Sequence, residues 1–241
     1  MKRPLLALAC LAAFAPPAIA LAGESGGSLQ WANGAAFATE YVWRGQSLTD
    51  GKPAIIGELK LNHDSGAYAG IWAGNLDLGP GTDTSAEIDY FLGWAKRIGQ
   101  LYVNAGYLYR QRPSDILSLD FQEVTIFASY DFGVARVGAG SYYAWDYFQG
   151  GNSTYNYANV GVPLGKPRGV QVSAVVAAGH HDFSNRAIGD YSNVDLRLVA
   201  QHKSWSYSIG YSDTDIDPGR SGLLTRNQSD ARWRAQALVM F

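Results

Sequence analysis

The sequence predicts an all-β fold, an antiparallel transmembrane β-barrel of about twelve strands with short periplasmic turns and longer external loops. Three observations predict it. Many short segments alternate apolar and polar residues, and the connections between them alternate in length. The chain also holds 28 Gly, 15 Tyr and 7 Trp, which suits tight turns and aromatic belts. After the first residues, no stretch approaches the roughly 18 apolar residues of a transmembrane helix.

Residues 1–22 are predicted to be a cleaved signal peptide. A basic start at positions 1–4 is followed by the apolar stretch 5–14. Small residues then offer two overlapping cleavage sites, at Ala18-Ile19-Ala20 and Ala20-Leu21-Ala22. Export through this segment leaves residues 23–241 as a single barrel domain.

Composition excludes several kinds of site in the exported domain. The single cysteine, Cys10, lies in the predicted signal peptide, so no disulfide or thiolate site remains. Without Lys2 and Arg3, the 19 basic residues become 17 against 21 acidic ones, a formal charge of −4. Nucleic-acid-binding domains are usually basic, so no nucleic-acid partner is expected.

The predicted strands follow one another along the chain with turn residues between them. Short turns such as Asp64-Ser65-Gly66 follow the even-numbered strands, and longer loops follow the odd-numbered ones. This alternation is typical of outer-membrane barrels and is expected to place both ends of the chain in the periplasm. The predicted strands are 30–44, 53–63, 67–75, 86–97, 101–110, 120–130, 134–146, 155–164, 170–180, 191–202, 205–213 and 233–241.

The two faces of these strands differ in polarity. In the tenth strand Val194, Leu196 and Leu198 alternate with Asn193, Asp195 and Arg197. Burying such ions in a dry core costs several kcal/mol each unless they are paired. We therefore expect the polar face to line a wet or ion-paired lumen and the apolar face to contact lipid. A soluble sandwich or a lipocalin-like barrel would reverse the two faces.

The last strand carries the same signal most clearly. Trp233, Ala235, Ala237, Val239 and Phe241 form its apolar face, with an aromatic residue at each end. The spacing fits the aromatic girdles of outer-membrane barrels. A strand that ends in Phe also resembles the recognition signal of bacterial outer-membrane proteins, which implies the outer-membrane assembly machinery as a partner.

Charged residues at the polar positions are the candidates for lining a pore. Opposed rows of acids and bases would select small polar or charged solutes, as rings of charge do in channels. Alternatively, these ions pair across the lumen and plug it, because twelve strands lie between filled barrels and wide porins. The candidates are Glu58, Lys60, Glu87, Asp89, Arg110, Glu123, Arg136, Asp195, Arg197, Arg232 and Arg234.

Arg44 and Tyr142 are the candidates for the external mouth. Arg44 is expected to end the first strand, either as a cation facing an anionic substrate group or as an ion-pair partner of neighbouring strands. Tyr142 belongs to an aromatic group around one external loop, which would stack on sugars or nucleosides or form the outer girdle. The girdle is the expected role of Tyr143 and Trp145. The group comprises Tyr142, Tyr143, Trp145, Tyr147, Phe148, Tyr155 and Tyr157.

Three segments resemble a known family. They are Glu40-Tyr41-Val42-Trp43-Arg44-Gly45-Gln46-Ser47 with its continuation to Ala54, Tyr68–Asn75 and Glu87-Ile88-Asp89. The chain is similar here to a proteobacterial family of exported conserved hypothetical proteins. Ala73-Gly74 departs from the Trp-x-Ser-Asn motif expected there. The resemblance implies an outer-membrane barrel and supplies no catalytic residues.

A Ser–His pair is the feature that points towards enzyme chemistry. Ser184 follows His180 and His181, but nucleophilic catalysis needs a base within hydrogen-bond reach and a third group that orients it. Neighbouring strand residues point to opposite faces, so the two histidines are not expected to bind zinc together. No catalytic residue, metal or cofactor is predicted.

An acidic loop resembles the start of a calcium-binding loop. Asp213, Asp215 and Asp217 place oxygens at alternate positions. Pro218, however, stands where the EF-hand pattern has Gly, and Leu224 stands where it has Glu. We expect a solvated acidic loop.

The sequence therefore predicts a barrel of the bacterial outer membrane, in contact with lipid, that acts as a narrow passive channel for small polar or charged solutes. The alternative is a non-conducting structural barrel whose loops bind a surface partner. An outer-membrane lipid hydrolase is the third hypothesis.

Overall fold

The protein is described by a computed structural model that covers residues 29–79, 82–113, 117, 119–185, 189–217 and 226–241. Within these residues, twelve strands form one closed antiparallel barrel, and two further short strands form a separate hairpin. The predicted fold class and strand number are confirmed. The predicted signal peptide, 1–22, lies outside the described residues and stays a prediction.

The strands are numbered in chain order. The hairpin consists of β2 (Val42–Trp43) and β3 (Gln46–Ser47). A single helical turn, α1 (Arg226–Ser229), precedes the last strand. The barrel strands are β1 (Leu29–Ala38), β4 (Ala54–His63), β5 (Ala67–Asn75), β6 (Ala86–Ile98), β7 (Leu101–Gln111), β8 (Phe121–Asp131), β9 (Arg136–Ala144), β10 (Ser153–Gly165), β11 (Gln171–Phe183), β12 (Tyr191–His202), β13 (Trp205–Thr214) and β14 (Arg232–Met240).

The barrel closes between its first and last strands. β1 pairs with β4 on one side and with β14 on the other, in a register that sets Gly34 opposite Met240 and Ala38 opposite Gln236. An open sheet edge in lipid would leave backbone N–H and C=O groups unpaired, at several kcal/mol each. Closure removes that cost.

The connections alternate in length as predicted. Short turns join the strand pairs at the periplasmic end, and longer connections lie at the external end. The short turns are residues 64–66, 99–100, 132–135, 166–170 and 203–204.

The outer surface of the barrel is apolar. Leu196 and Leu198 of β12 and Ile209 of β13 are 46–52% exposed, while their polar neighbours along the strands point inward. No helix in the described residues has the length and apolar content needed to cross a membrane. A closed barrel with an apolar belt and a polar interior is the architecture of outer-membrane proteins, which places the protein in the bacterial outer membrane.

The first strand is shorter than predicted. It ends at Ala38, where Thr39 still exchanges hydrogen bonds with Ala235, and does not continue to Arg44. The chain then turns into the lumen and forms the β2–β3 hairpin. Arg44 and Gly45 at its tip both have positive φ, and a Cβ at Gly45 would lie 2.8 Å from the Asn193 Cβ. We call residues 39–53 the inner segment.

An apolar cluster fills the external end of the lumen around the inner segment. It is built from inward residues at the strand ends and from loop residues folded over them. The sequence led us to expect at most ion pairs in the lumen. At this end, apolar side chains fill the interior as well. The cluster comprises Ala38, Tyr41, Trp43, Leu48, Ala54, Leu76, Phe121, Ala144, Tyr147, Phe183 and Tyr191.

Candidate functional site

The inner segment is held by its own backbone and by one external loop. The Leu48 amide donates to the Tyr41 carbonyl at 2.7 Å, and the Tyr41 amide donates to the Thr49 hydroxyl at 3.0 Å. From the next external loop, the Asp77 amide donates to the Leu48 carbonyl at 2.8 Å. Ser47 and Thr49 are fully buried. The inner segment is thus an ordered part of the barrel interior.

Arg44 lies at the tip of the inner segment, in a buried cage. Its Nη2 donates to Glu123 Oε1 on β8 at 2.7 Å, and its Nη1 lies 3.2 Å from His181 Nε2 on β11. The guanidinium stands over the rings of Trp43 at 4.3 Å and Tyr155 at 4.4 Å. Cation–π contacts of this kind are strongest where water is excluded, as it is here.

The expectation that Arg44 ends the first strand beside an external loop is therefore wrong. Arg44 is only 2% exposed, because the hairpin turn carries it into the lumen. Of its two expected roles, the structure shows the ion pair, but with Glu123 across the lumen instead of a neighbouring strand. Tyr142, the other mouth candidate, is half-buried and lies beneath the same guanidinium, 5.0 Å from it.

A second cluster surrounds Glu87 on the adjoining strands β6 and β7. Glu87 Oε2 accepts from Arg112 Nη2 at 2.9 Å, and its Oε1 accepts from the Tyr41 hydroxyl at 3.0 Å. Arg110 makes a bidentate pair with Asp89, at 3.0 and 2.9 Å, and lies 3.3 Å from Glu87. Planar bidentate pairing is the strongest arrangement available to arginine. Burial, and then the charge of Glu87, raises the pKa of Tyr41, which stays neutral as the donor.

Arg112 was not among the predicted candidates, although its position in the sequence indicates an inward-facing side chain. It stands two residues beyond Arg110 and therefore continues the inward parity of β7, past the end of the predicted strand. The carboxylate that it contacts is fixed by the fold and is not evident from local spacing.

A third group of ions lies on the wall formed by β12 and β14. Asp195 pairs with Arg197 at 2.5 Å and also with Arg234. Arg232 Nη1 donates to Glu40 of the inner segment at 2.7 Å. Ion pairs therefore connect β12 with β14, and β14 with the start of the inner segment.

The remaining charged candidates lie on β4 and β9, in the part of the barrel towards the periplasmic end. The Lys60 ammonium is 4.2 Å from the centroid of the Tyr68 ring, and Glu58 is half-buried two positions along β4. Arg136 pairs with Asp131 at 2.9 Å beside a short turn. All of the predicted lumen candidates thus stand at inward-facing positions of their strands. Whether they line a path for solutes stays a prediction.

The sequence matches a family model described as "Bacterial protein of unknown function (Gcw_chp)" over residues 22–239. The chain belongs to the Gcw_chp family. This confirms the resemblance to a conserved hypothetical family, and two of its three motifs contribute residues to the clusters around Arg44 and Glu87. No curated protein matches the chain significantly.

Solved structures that resemble this Gcw_chp protein include two porins. One is described as "KdgM porin", with a TM-score of 0.58 and 7% identity over 87% of this chain and 99% of that chain. The other is described as a NanC porin structure, with a TM-score of 0.54 and 12% identity over 88% of this chain and 99% of that one. At such low identity the likeness shows the fold alone.

The histidines and Ser184 of the Gcw_chp protein have separate partners. His180 faces outward, with Nδ1 3.0 Å from the Ser192 hydroxyl and Nε2 3.3 Å from Asp182. His181 faces inward, towards Arg44. The Ser184 hydroxyl accepts from the Asn152 amide at 2.7 Å. The described contacts therefore join Ser184 to backbone and not to either histidine.

The aspartates of the acidic loop are used as local hydrogen-bond acceptors. Asp213 accepts from the Thr214 amide at 2.8 Å, and Asp215 accepts from the Ser192 amide at 2.5 Å. The described residues contain no group of three or more His, Cys, Asp or Glu that could hold a metal ion. Pro218 and Leu224 lie outside the described residues.

The aromatic group expected around one external loop is divided by the fold. Tyr143 and Trp145 are about 40% exposed on the lipid side, where a girdle lies. Tyr147 and Phe148 instead fold inward onto Phe121, with ring centroids 4.8 and 5.1 Å from it. The remaining three rings of this group, Tyr142, Tyr155 and Tyr157, lie on the inner wall.

Proposed function

We propose that this protein is an outer-membrane channel for small polar or charged solutes and that the inner segment sets its aperture. The observation that supports this most is the ionised interior of the barrel. Asp195, Arg197 and Arg234 form part of an inner surface on which every strand pair contributes polar groups. A barrel that only anchors loops could fill this interior with apolar side chains, which avoids the desolvation cost of burying even paired ions.

The inner segment stands in the way of any solute at the external end. Arg44, Arg110 and Glu123 are at most 2% exposed, so their level of the lumen is filled by protein. A solute passes this level only when the inner segment moves. Conductance is therefore expected to depend on residues 39–53 more than on any other external connection.

Planar-bilayer recording on refolded protein tests the proposal. Ala38 and Ala54 face each other in the β1–β4 register, so a two-residue hairpin turn can replace the intervening inner segment without moving the strands. We expect discrete conductance steps from the wild type and larger steps from this shortened variant. Lys52→Ala is the matched control, because it breaks only the exposed pair with Asp77 and leaves the buried contacts in place.

The packed external end favours a second candidate, a non-conducting barrel with loops that bind a partner. Trp43 and Tyr147, both buried in the apolar cluster, close the lumen at this level. In the same recording this candidate predicts a silent wild type and a conducting shortened variant. Silence of both proteins, with the barrel shown to be folded by its heat-modifiable migration on gels, would contradict the channel.

A further inference from the structure

A continuous band of aromatic rings lines the inner wall from the Arg44 cage towards the periplasmic end. The Tyr155 and Tyr157 ring centroids are 5.8 Å apart, Tyr157 and Phe127 are 5.9 Å apart, and Phe127 and Tyr102 are 6.3 Å apart. Asn104 links Tyr102 to Tyr68, whose hydroxyl donates to it at 3.0 Å. We call these five rings the aromatic track.

The rings lean along the wall because glycines lie beneath them on the neighbouring strands. A Cβ at Gly138 would be 2.7 Å from the Phe127 ring, and a Cβ at Gly140 would be 2.7 Å from the Tyr157 ring. The planes of these two rings are only 2° apart. Each ring therefore rests on backbone and leaves its remaining surface to the lumen.

Most of the aromatic track is accessible from the lumen, in contrast to the packed external end. Tyr157, Phe127, Tyr102 and Tyr68 are half-buried at inward positions, in contrast to the fully buried Trp43. Its upper end, Tyr155, touches the Arg44 guanidinium at 4.4 Å. The track thus begins at the inner segment and continues on its periplasmic side.

Polar groups alternate with the ring surfaces along the track. The Asn104 side-chain amide lies between two rings, and the side-chain oxygen Oδ1 of Asn159 lies beside Gly138, 3.1 Å from a Cβ built there. Three of the rings next to these amides carry hydroxyls, those of Tyr68, Tyr102 and Tyr157. A purely apolar ligand would displace water from these partly exposed polar groups without offering them a hydrogen bond, at a cost in binding free energy. Positively polarised C–H groups, in contrast, favour the negative face of an aromatic ring.

We propose that the aromatic track binds neutral saccharides, whose rings present C–H groups on their faces and hydroxyls at their edges. Stacking on Tyr157 and Phe127 holds the sugar ring, and the amides and tyrosine hydroxyls pair with its hydroxyls. The use of the track in transport rests on the proposed channel function, whereas binding itself does not. A purely structural role, in which the rings only cover glycine backbone, predicts no preference between cyclic and linear polyols.

Calorimetric titration of refolded protein in detergent micelles tests the proposal, with maltotriose as the cyclic probe and sorbitol as the linear one. We expect binding of maltotriose and no binding of sorbitol. Phe127→Leu and Tyr157→Leu keep an apolar side chain and should each weaken maltotriose binding about tenfold, which is about 1.4 kcal/mol. Tyr90→Leu is the matched control, because Tyr90 stacks on Tyr109 on the lipid side.

The outcomes separate the two proposals. Equal heats from maltotriose and sorbitol, or equal losses in the track variants and in Tyr90→Leu, would overturn the saccharide site. Maltotriose binding without conductance supports the track and rejects the channel. Conductance without maltotriose binding rejects the track and leaves the channel.

Discussion

Arg44 and Glu123 form an ion pair at 2.7 Å in which both side chains are about 1% exposed, although 79 residues separate them in sequence. One partner comes from a hairpin tip and the other from the far wall of the barrel. The pair joins the inner segment to β8, and His181 on β11 completes the contact at 3.2 Å. The position of the inner segment therefore depends on residues from three distant parts of the chain.

Removal of the Arg44 charge is expected to destabilise the barrel. Arg44→Met leaves Glu123 as an uncompensated buried charge, which should lower the free energy of unfolding by about 3–5 kcal/mol. Urea unfolding of the refolded protein in lipid vesicles measures the loss. The double variant Arg44→Met/Glu123→Gln should recover much of it, and equal losses in the single and double variants would show that the two residues are not coupled.

Stability should fall at alkaline pH through Tyr41. Its buried hydroxyl donates to Glu87 at 3.0 Å, and burial raises its pKa above the ordinary value of 10.0. The folded protein therefore holds this proton more tightly than the unfolded chain. The resulting stabilisation is complete below pH 10.0, and it is lost as the pH rises towards the pKa of the folded state.

The Tyr41→Phe variant provides the measurement. It lacks the hydrogen bond at neutral pH, where its urea midpoint should be lower than that of the wild type by an amount corresponding to about 1–3 kcal/mol. Above pH 10.0 the difference should shrink, because Phe does not ionise. A constant difference across this range would show that Tyr41 does not titrate with folding.

Asp195 is expected to control ion selectivity if the barrel conducts. It is paired with both Arg197 and Arg234, so Asp195→Asn leaves two cations on that wall. The reversal potential in a salt gradient should shift towards anion selectivity. Lys96→Gln serves as the control, because Lys96 points away from the lumen. The same reversal potential in wild type and Asp195→Asn would place Asp195 off the conduction path.

Two glycines in mid-strand should respond differently to a methyl group. A Cβ at Gly179 would lie 2.5 Å from Tyr155 Cζ, and the Tyr155 hydroxyl is held by Asn193 at 3.0 Å. Gly179→Ala should therefore cost about 1–3 kcal/mol through overpacking. Gly57 has nothing within 4 Å of such a Cβ, so Gly57→Ala should be neutral or slightly stabilising. Urea unfolding compares the two, and similar losses would argue against the packing of Tyr155 over Gly179.

Local pattern was sufficient to predict the barrel strands. The alternation of Val194, Leu196 and Leu198 with Asp195 and Arg197 is a property of adjacent residues, so it is readable without the fold. For the same reason, residues 39–44 were wrongly predicted to continue the first barrel strand, whereas Val42–Trp43 belong to the separate β2–β3 hairpin. These residues have high β-propensity, but their conformation is set by contacts with distant strands.

Sequence patterns alone were enough to predict the architecture: the barrel strands, their inward and outward faces, the short and long connections and the membrane in which they lie. Those features follow from side-chain periodicity and turn residues, which act within a few positions. The three-dimensional fold was needed to show that the inner segment enters the lumen, that Arg44 contacts Glu123, and that rings from four strands form one track. Such contacts join residues 36 to 137 positions apart, and no local period encodes them.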